Sequence, residues 1–296
     1  MAAPLRSKLA MDRAQALVRE LGISSLPVDP FAIALKKDIV VQAKPDSDEG
    51  VSGMLLRHGN NFGILYATHI PSEGFQRFSV AHELGHYCLP GHIDHVLRDG
   101  VHSSRAGFVS GDRYELEADQ FAAGLLMPAT LFRRAMEEED PGLSAIEALA
   151  GLCRTSLTAT AIRYAELSRD AIGVIVSTGS RVDYCWLSAT MSSLQEFSWP
   201  TKGSAVPRGT ATSEFTSRAE RISRAEREEE EVDIQDWLGG ERSISATEEV
   251  VGLGAYGKTL TILTCSKLVE DTYKDTDQDE EDESELIERW TPRFRR

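Results

Sequence analysis

FSVAHELGHYCLPGH, Phe78 to His92, is the stretch on which the reading of this chain turns. His82, Glu83 and His86 spell H-E-x-x-H. On a helix, residues i and i+4 stack on one face, a turn apart. His82 and His86 therefore present two imidazoles to one ion. Glu83 lies one residue round, where it can act as a general base on water rather than bind the ion itself. The segment from about Ser72 to Leu89 reads as one helix that stops at Pro90–Gly91. Small Gly85 leaves room for a second helix to approach. Two histidines alone make a weak, open site, so a third protein ligand is expected.

YELEADQFAAGLLMP, Tyr114 to Pro128, offers that ligand. It reads as a second helix, from Tyr114 to Met127, and Glu115 on it is the favoured third donor. Asp119, one turn along the same face, is placed to hydrogen-bond a ligand histidine from behind. Ala118 lets the two helices pack closely. Glu117 is a competitor, although it would point away from the face shared by Glu115 and Asp119. His92 is another. The metzincin pattern H-E-x-x-H-x-x-G-x-x-H fits residues 82–92 except that Leu89 occupies the glycine position. That glycine allows the sharp turn that returns the last histidine to the metal, and here only Pro90–Gly91 could supply such a turn, one residue late. The favoured site is thus two histidines and one glutamate with an open position. Zinc is the expected metal, and manganese could take its place.

The surroundings of this core carry weaker signals. Residues 90–112 are rich in Gly, His, Ser and Asp and read as a loop. His92, His95 and His102 within it, or Tyr114 beyond it, could steady an oxyanion. Ordinary polar loop groups are the simpler reading. Cys88 reads as a small buried hydrophobe.

The 296 residues suffice for two domains, and the hydrophobic fraction of 41% is that of a chain with real cores. The formal net charge is −15, of which Asp275–Glu288 supplies nine negative charges and no positive one. That run reads as a solvated tail, and a chain this acidic has no general attraction to phosphate backbones. The four cysteines are far apart, with no C-x-x-C pair, which suits a reduced cytoplasmic protein. No segment reads as a secretory signal or a membrane span.

Along the chain, residues 8–21 read as helix. DIVVQ (Asp38–Gln42), SGMLLRH (Ser52–His58) and FGILYAT (Phe62–Thr68) read as strands, with a hairpin turn between the last two. A third helix follows the ELEAD helix, from Ala129 to Glu138. Asp140–Ser168 then holds two apolar-periodic helices about a short polar turn at Arg154–Ser156, the spacing of a helix-turn-helix. Its second helix has only Arg163 and Arg169 as cations, offset by Glu166 and Asp170, which is thin for phosphate contact. Packing, or docking of a protein substrate, is the better reading. From Ala171 the texture becomes β-rich, in AIGVIVS, VDYCWLS, EVDIQDWL and KTLTILTC.

FSVAHELGHYCL followed by YELEADQFAAGLLMP resembles the ImmA/IrrE family of bacterial metallopeptidases, over about residues 10–170. The resemblance implies His82, His86 and Glu115 as metal ligands and Glu83 as the catalytic base, in agreement with the spacing. It implies an α+β fold: a zincin-like helical peptidase domain with a small sheet (1–140), a helix-turn-helix-like segment (141–170) and a GAF-like α+β domain (171–268), before the acidic tail (269–296). It also implies a substrate, a helix-turn-helix transcriptional repressor cut at one site in a stress or DNA-damage response. The chain departs from the pattern in its acidic tail and in having no repressor domain fused at its N-terminus. The competing expectation is a non-proteolytic regulator that binds a repressor or DNA and uses zinc structurally.

Overall fold

The computed structural model describes residues 3–44, 50–105, 112–194, 198, 200–240 and 243–265. Among these it contains twelve α-helices and nine strands in two sheets, an α+β fold as expected. Among the described residues the chain divides into two compact units, the first built from residues 3–135 and 149–159, the second from 136–148 and 160–265. Among the described residues, no helix is long and apolar enough to cross a membrane.

The first unit opens with helix α1 (Ala3–Glu20) and α2 (Pro30–Lys36). α2 begins at Pro30, whose fixed φ suits the first helical turn, and the carboxylate of Asp29 accepts from the N–H groups of Phe31 and Ala32. Strands β1 (Ile39–Lys44), β2 (Val51–His58) and β3 (Asn61–Ala67) follow. β2 and β3 form the expected hairpin, His58 opposite Asn61, with Gly59 at positive φ in the two-residue turn. β1 runs parallel to β3.

The motif helix α3 spans Glu73–Cys88. Ser72 caps it, its hydroxyl accepting from Phe75 N–H, and Leu89 leaves it in extended backbone. From Ser79 to His86 every residue is buried, because sheet and helix cover the two sides. α5 (Arg113–Leu126), capped by the Asp112 carboxylate on Tyr114 N–H, lies against α3. A Cβ on Gly85 would sit 3.2 Å from the backbone of Ala118 on α5, which is the close approach the two small residues were expected to allow.

Residues 90–112 differ from the expected loop. They hold a one-turn helix α4 (His92–Val96) and strand β4 (Val101–Arg105), which pairs antiparallel with β2 and completes the sheet order β1-β3-β2-β4. The polar composition of β4, VHSSR, hides a strand that has one face buried and the other at a sheet edge. α6 (Ala129–Met136) follows Pro128, and α7 (Leu143–Cys153) and α8 (Leu157–Leu167) flank the polar turn at 154–156 as read.

In the second unit β5 (Ala171–Thr178), β6 (Arg181–Leu187), β7 (Arg227–Asp233), β8 (Ser245–Gly252) and β9 (Thr259–Cys265) form an antiparallel sheet of order β6-β5-β9-β8-β7. β5 and β9 are central and almost wholly buried. EVDIQDWL is a strand only as far as Asp233; that carboxylate then caps the short helix α12 (Ile234–Leu238) by accepting from Gln235 N–H. β8 passes unread in the sequence because SATEEVVG carries two glutamates, yet Glu248 is fully buried and accepts from the Ala211 and Thr212 N–H groups. The acidic run falls outside the described residues.

Candidate metal centre

The site lies wholly in the first unit, between α3 and α5, with β2 and β4 alongside. His82 and His86 stack one turn apart, with ring centroids separated by 4.8 Å. Their Nε2 atoms stand 3.1 Å apart. The Glu115 carboxylate reaches across from the first turn of α5, with Oε2 3.4 Å from His82 Nε2 and Oε1 3.3 Å from His86 Nε2. Donors about 2.0–2.1 Å from a tetrahedral zinc stand roughly 3.3 Å from one another. The three favoured residues therefore fit such an ion in both donor type and spacing.

The far sides of the imidazoles determine which atoms face the centre. His82 Nδ1 lies 2.8 Å from Asp119 Oδ1. A carboxylate can only accept, so Nδ1 carries a proton and Nε2 is the nitrogen left to face a metal. Asp119 thus lies behind the His82 ring, on the side away from His86 and Glu115.

Burial alone would depress the His82 imidazolium, but its contacts with Asp119 and Glu115 outweigh that and raise it to about 10. His86, wholly buried and close to His82, is pushed down to about 3 despite its contact with Glu115. For Glu115, burial works upward, but His102, His82 and His86 together hold the carboxyl far below its ordinary range. One cationic charge shared among these groups is the favoured state of the metal-free cluster.

Glu83 lies beside this group, between His86, His102 and Gly53 of β2. It is fully buried, and burial raises its carboxyl above the ordinary range, against the pull of His82 and the nearby Ser104 hydroxyl. Ser104 acts on it electrostatically without a bond of good geometry. Among the described residues neither carboxylate oxygen has a hydrogen-bond partner. A polar group so placed costs about 1–3 kcal/mol, and a charged one more. The space it occupies exists because residue 53 is glycine.

The competitors are placed elsewhere. Leu89 does not turn; Gly91, at φ 79°, does, two residues late. The chain returns, but His92 arrives behind His86 rather than beside it, with the two Nδ1 atoms 3.1 Å apart. Glu117 meets His92 Nε2 at 3.0 Å and is outside the group of donors around His82 and His86. Tyr114 stacks on His95, centroids 3.9 Å apart, and its hydroxyl accepts from Arg113.

His102 is the residue whose place the sequence did not foretell. It lies opposite Leu55 on β4, Nε2 3.0 Å from Glu115 Oε1 and its ring centroid 4.5 Å from that of His86. Glu83, His86 and His102 form a second close group of donor atoms.

Residues 34–164, which contain all of these groups, match the family model Peptidase_M78, the IrrE N-terminal-like domain. This segment is similar to that domain. The match likens this segment, under half of the chain, to metallopeptidase-like proteins. A search of curated proteins finds no match. Among solved structures, a Mycobacterium tuberculosis transcriptional regulator is similar in fold, with a TM-score of 0.57 at 15% identity over 96% of this chain and 88% of that one. Within the IrrE-like domain, H-E-x-x-H and ELEAD were legible as helical faces. His102 was not, since its approach to Glu115 depends on strand pairing across more than forty residues.

Proposed function

We propose that the chain is a metal-dependent endopeptidase in which His82, His86 and Glu115 hold the ion and Glu83 is the catalytic base. One observation carries the reading: two imidazole Nε2 atoms and a carboxylate face one another about 3.3 Å apart, beside a buried glutamate with no hydrogen-bond partner among the described residues. Groups so close need a proton or a metal cation between them. Zinc, when bound, supplies Lewis acidity, polarising a peptide carbonyl and making water nucleophilic near neutral pH.

The protein's own groups do the rest. Asp119 holds His82 in the tautomer that leaves Nε2 free to bind. His102 steadies the Glu115 oxygen that it touches. Glu83, its proton affinity raised by burial, takes the proton of the attacking water and later returns it to the leaving amine. A structural metal site needs no such base, which weighs against the non-proteolytic reading.

The substrate we propose is a helix-turn-helix transcriptional repressor, cut at one site so that its genes are released under stress or DNA damage. The paucity of cations on α8 favours a protein substrate over direct DNA binding. The test is to incubate the protein, with zinc or manganese, and the helix-turn-helix repressor encoded nearest its gene. Glu83→Gln serves beside it. A discrete cut requiring both metal and Glu83 is expected; full biological effect from Glu83→Gln would overturn the enzymatic reading in favour of binding alone.

A further inference from the structure

His86 does not rest on a carboxylate, as His82 does. Its Nδ1 faces another imidazole, His92 Nδ1, at 3.1 Å, and the far nitrogen of that ring, Nε2, is 3.0 Å from Glu117 Oε2. His86 and His92 are both wholly buried. The Tyr114 ring meets His92 edge-on at 4.9 Å and limits its rotation.

Two neutral imidazoles that meet through their Nδ1 atoms need one proton between them, and it can belong to either ring. If His92 carried it, His86 would hold its own proton on Nε2, pointing at Glu115, and could not bind a metal. Glu117 removes that ambiguity. A carboxylate can only accept, so the proton of neutral His92 goes to Nε2. Its Nδ1 is then a lone pair, and the only bond open to the two Nδ1 atoms is donation from His86 to His92. The His86 Nε2 lone pair is left facing Glu115 and His82.

We infer that Glu117, acting through His92, sets the tautomer of His86 and so prepares it as a metal ligand. The pair are positioning residues, and the inference rests on the metal-site reading above. One helix, α5, would then supply a direct donor, Glu115, a direct support for His82, Asp119, and a support for His86 relayed through one ring, Glu117.

Two measurements on the full chain test this. The first reads the histidine tautomers of metal-free protein by nitrogen-15 NMR. His86 is expected as the Nδ1–H form and His92 as the Nε2–H form, and Glu117→Ala is expected to mix the His86 forms. Glu117 is less buried than His92, so this variant is expected to fold even if substitutions at His92 do not. The second titrates zinc against a competing chelator. Loss of a supporting partner weakens metal binding about 10–100-fold, and that range is expected for Glu117→Ala and His92→Leu. His92→Gln can accept from His86 and donate to Glu117 at once, so it should hold zinc within about threefold of wild type. Mere packing predicts the reverse order, since leucine suits a wholly buried place better than glutamine. Zinc binding as tight in His92→Leu as in His92→Gln, or an unchanged His86 tautomer in Glu117→Ala, would overturn the inference. Wild-type protein that binds no zinc would defeat the metal reading, and the metal-free tautomers would still decide the relay.

Discussion

Gly53 and Glu83 are matched in space: a Cβ on residue 53 would lie 2.6 Å from Glu83 Oε1 and 3.2 Å from its Cγ. Gly53 sits on β2 opposite Ser104 of β4, on the sheet face that meets α3. Its φ is not among the positive values, so an alanine could adopt the backbone there. The carboxylate would have to yield. Gly53→Ala is therefore expected to lower kcat/KM about 100-fold, the effect of misplacing a reacting group by about 1 Å, while zinc affinity stays near wild type. Parallel peptidase assays and zinc titrations check this; an unaltered rate would mean that Glu83 is not the base.

Gly85 poses a similar question with a different answer. Alanine is favoured over glycine within a helix by up to about 1 kcal/mol. The added methyl, however, would meet the backbone of Ala118 at 3.2 Å, and backbone in a packed helix cannot step aside cheaply. Overpacking costs about 1–3 kcal/mol, so it outweighs the propensity gain. Gly85→Ala is expected to lower stability in denaturant unfolding and to weaken zinc binding as α5 and Glu115 move outward.

His102 and His95 separate a residue of the site from a neighbour. His102 touches Glu115, whereas His95 stacks on Tyr114 outside the donor group. His102→Ala is expected to weaken zinc binding about tenfold or more, and His95→Ala to leave it within error. Equal effects from both, measured by chelator competition, would remove His102 from the centre.

The proton on His82 competes with the metal. Its folded-state pKa lies at about 10, above the ordinary value of 6.5. For a base raised in this way, the stabilisation is fully present below about pH 6.5 and is lost as pH rises toward 10. Thermal unfolding of the metal-free protein should therefore show a stability loss over that window that His82→Asn lacks. Zinc binding has the opposite slope, because the proton must leave. Apparent affinity should rise about tenfold per pH unit between about pH 7 and about pH 8.5. A flat profile in chelator-buffered titrations would place the proton elsewhere.

The sequence by itself determined what depends on local periodicity. The i, i+4 spacing of His82 and His86 and of Glu115 and Asp119 decides which side chains share a helical face, whatever the rest of the chain does. The caps at Ser72 and Asp112, the small residues Gly85 and Ala118, and the hairpin at Gly59 are local in the same sense. Tertiary structure alone decided the rest. His92 has metzincin spacing, yet the late turn at Gly91 delivers it to the rear of His86. Glu117 points away from the donors, as its helical position demands, and only the fold shows that His92 waits there for it. His102 and Gly53 belong to the site through the pairing of β2 with β4, and the polar sequence of β4 gave no sign of a strand. Contacts made across a sheet depend on register, which residues distant in the chain set together.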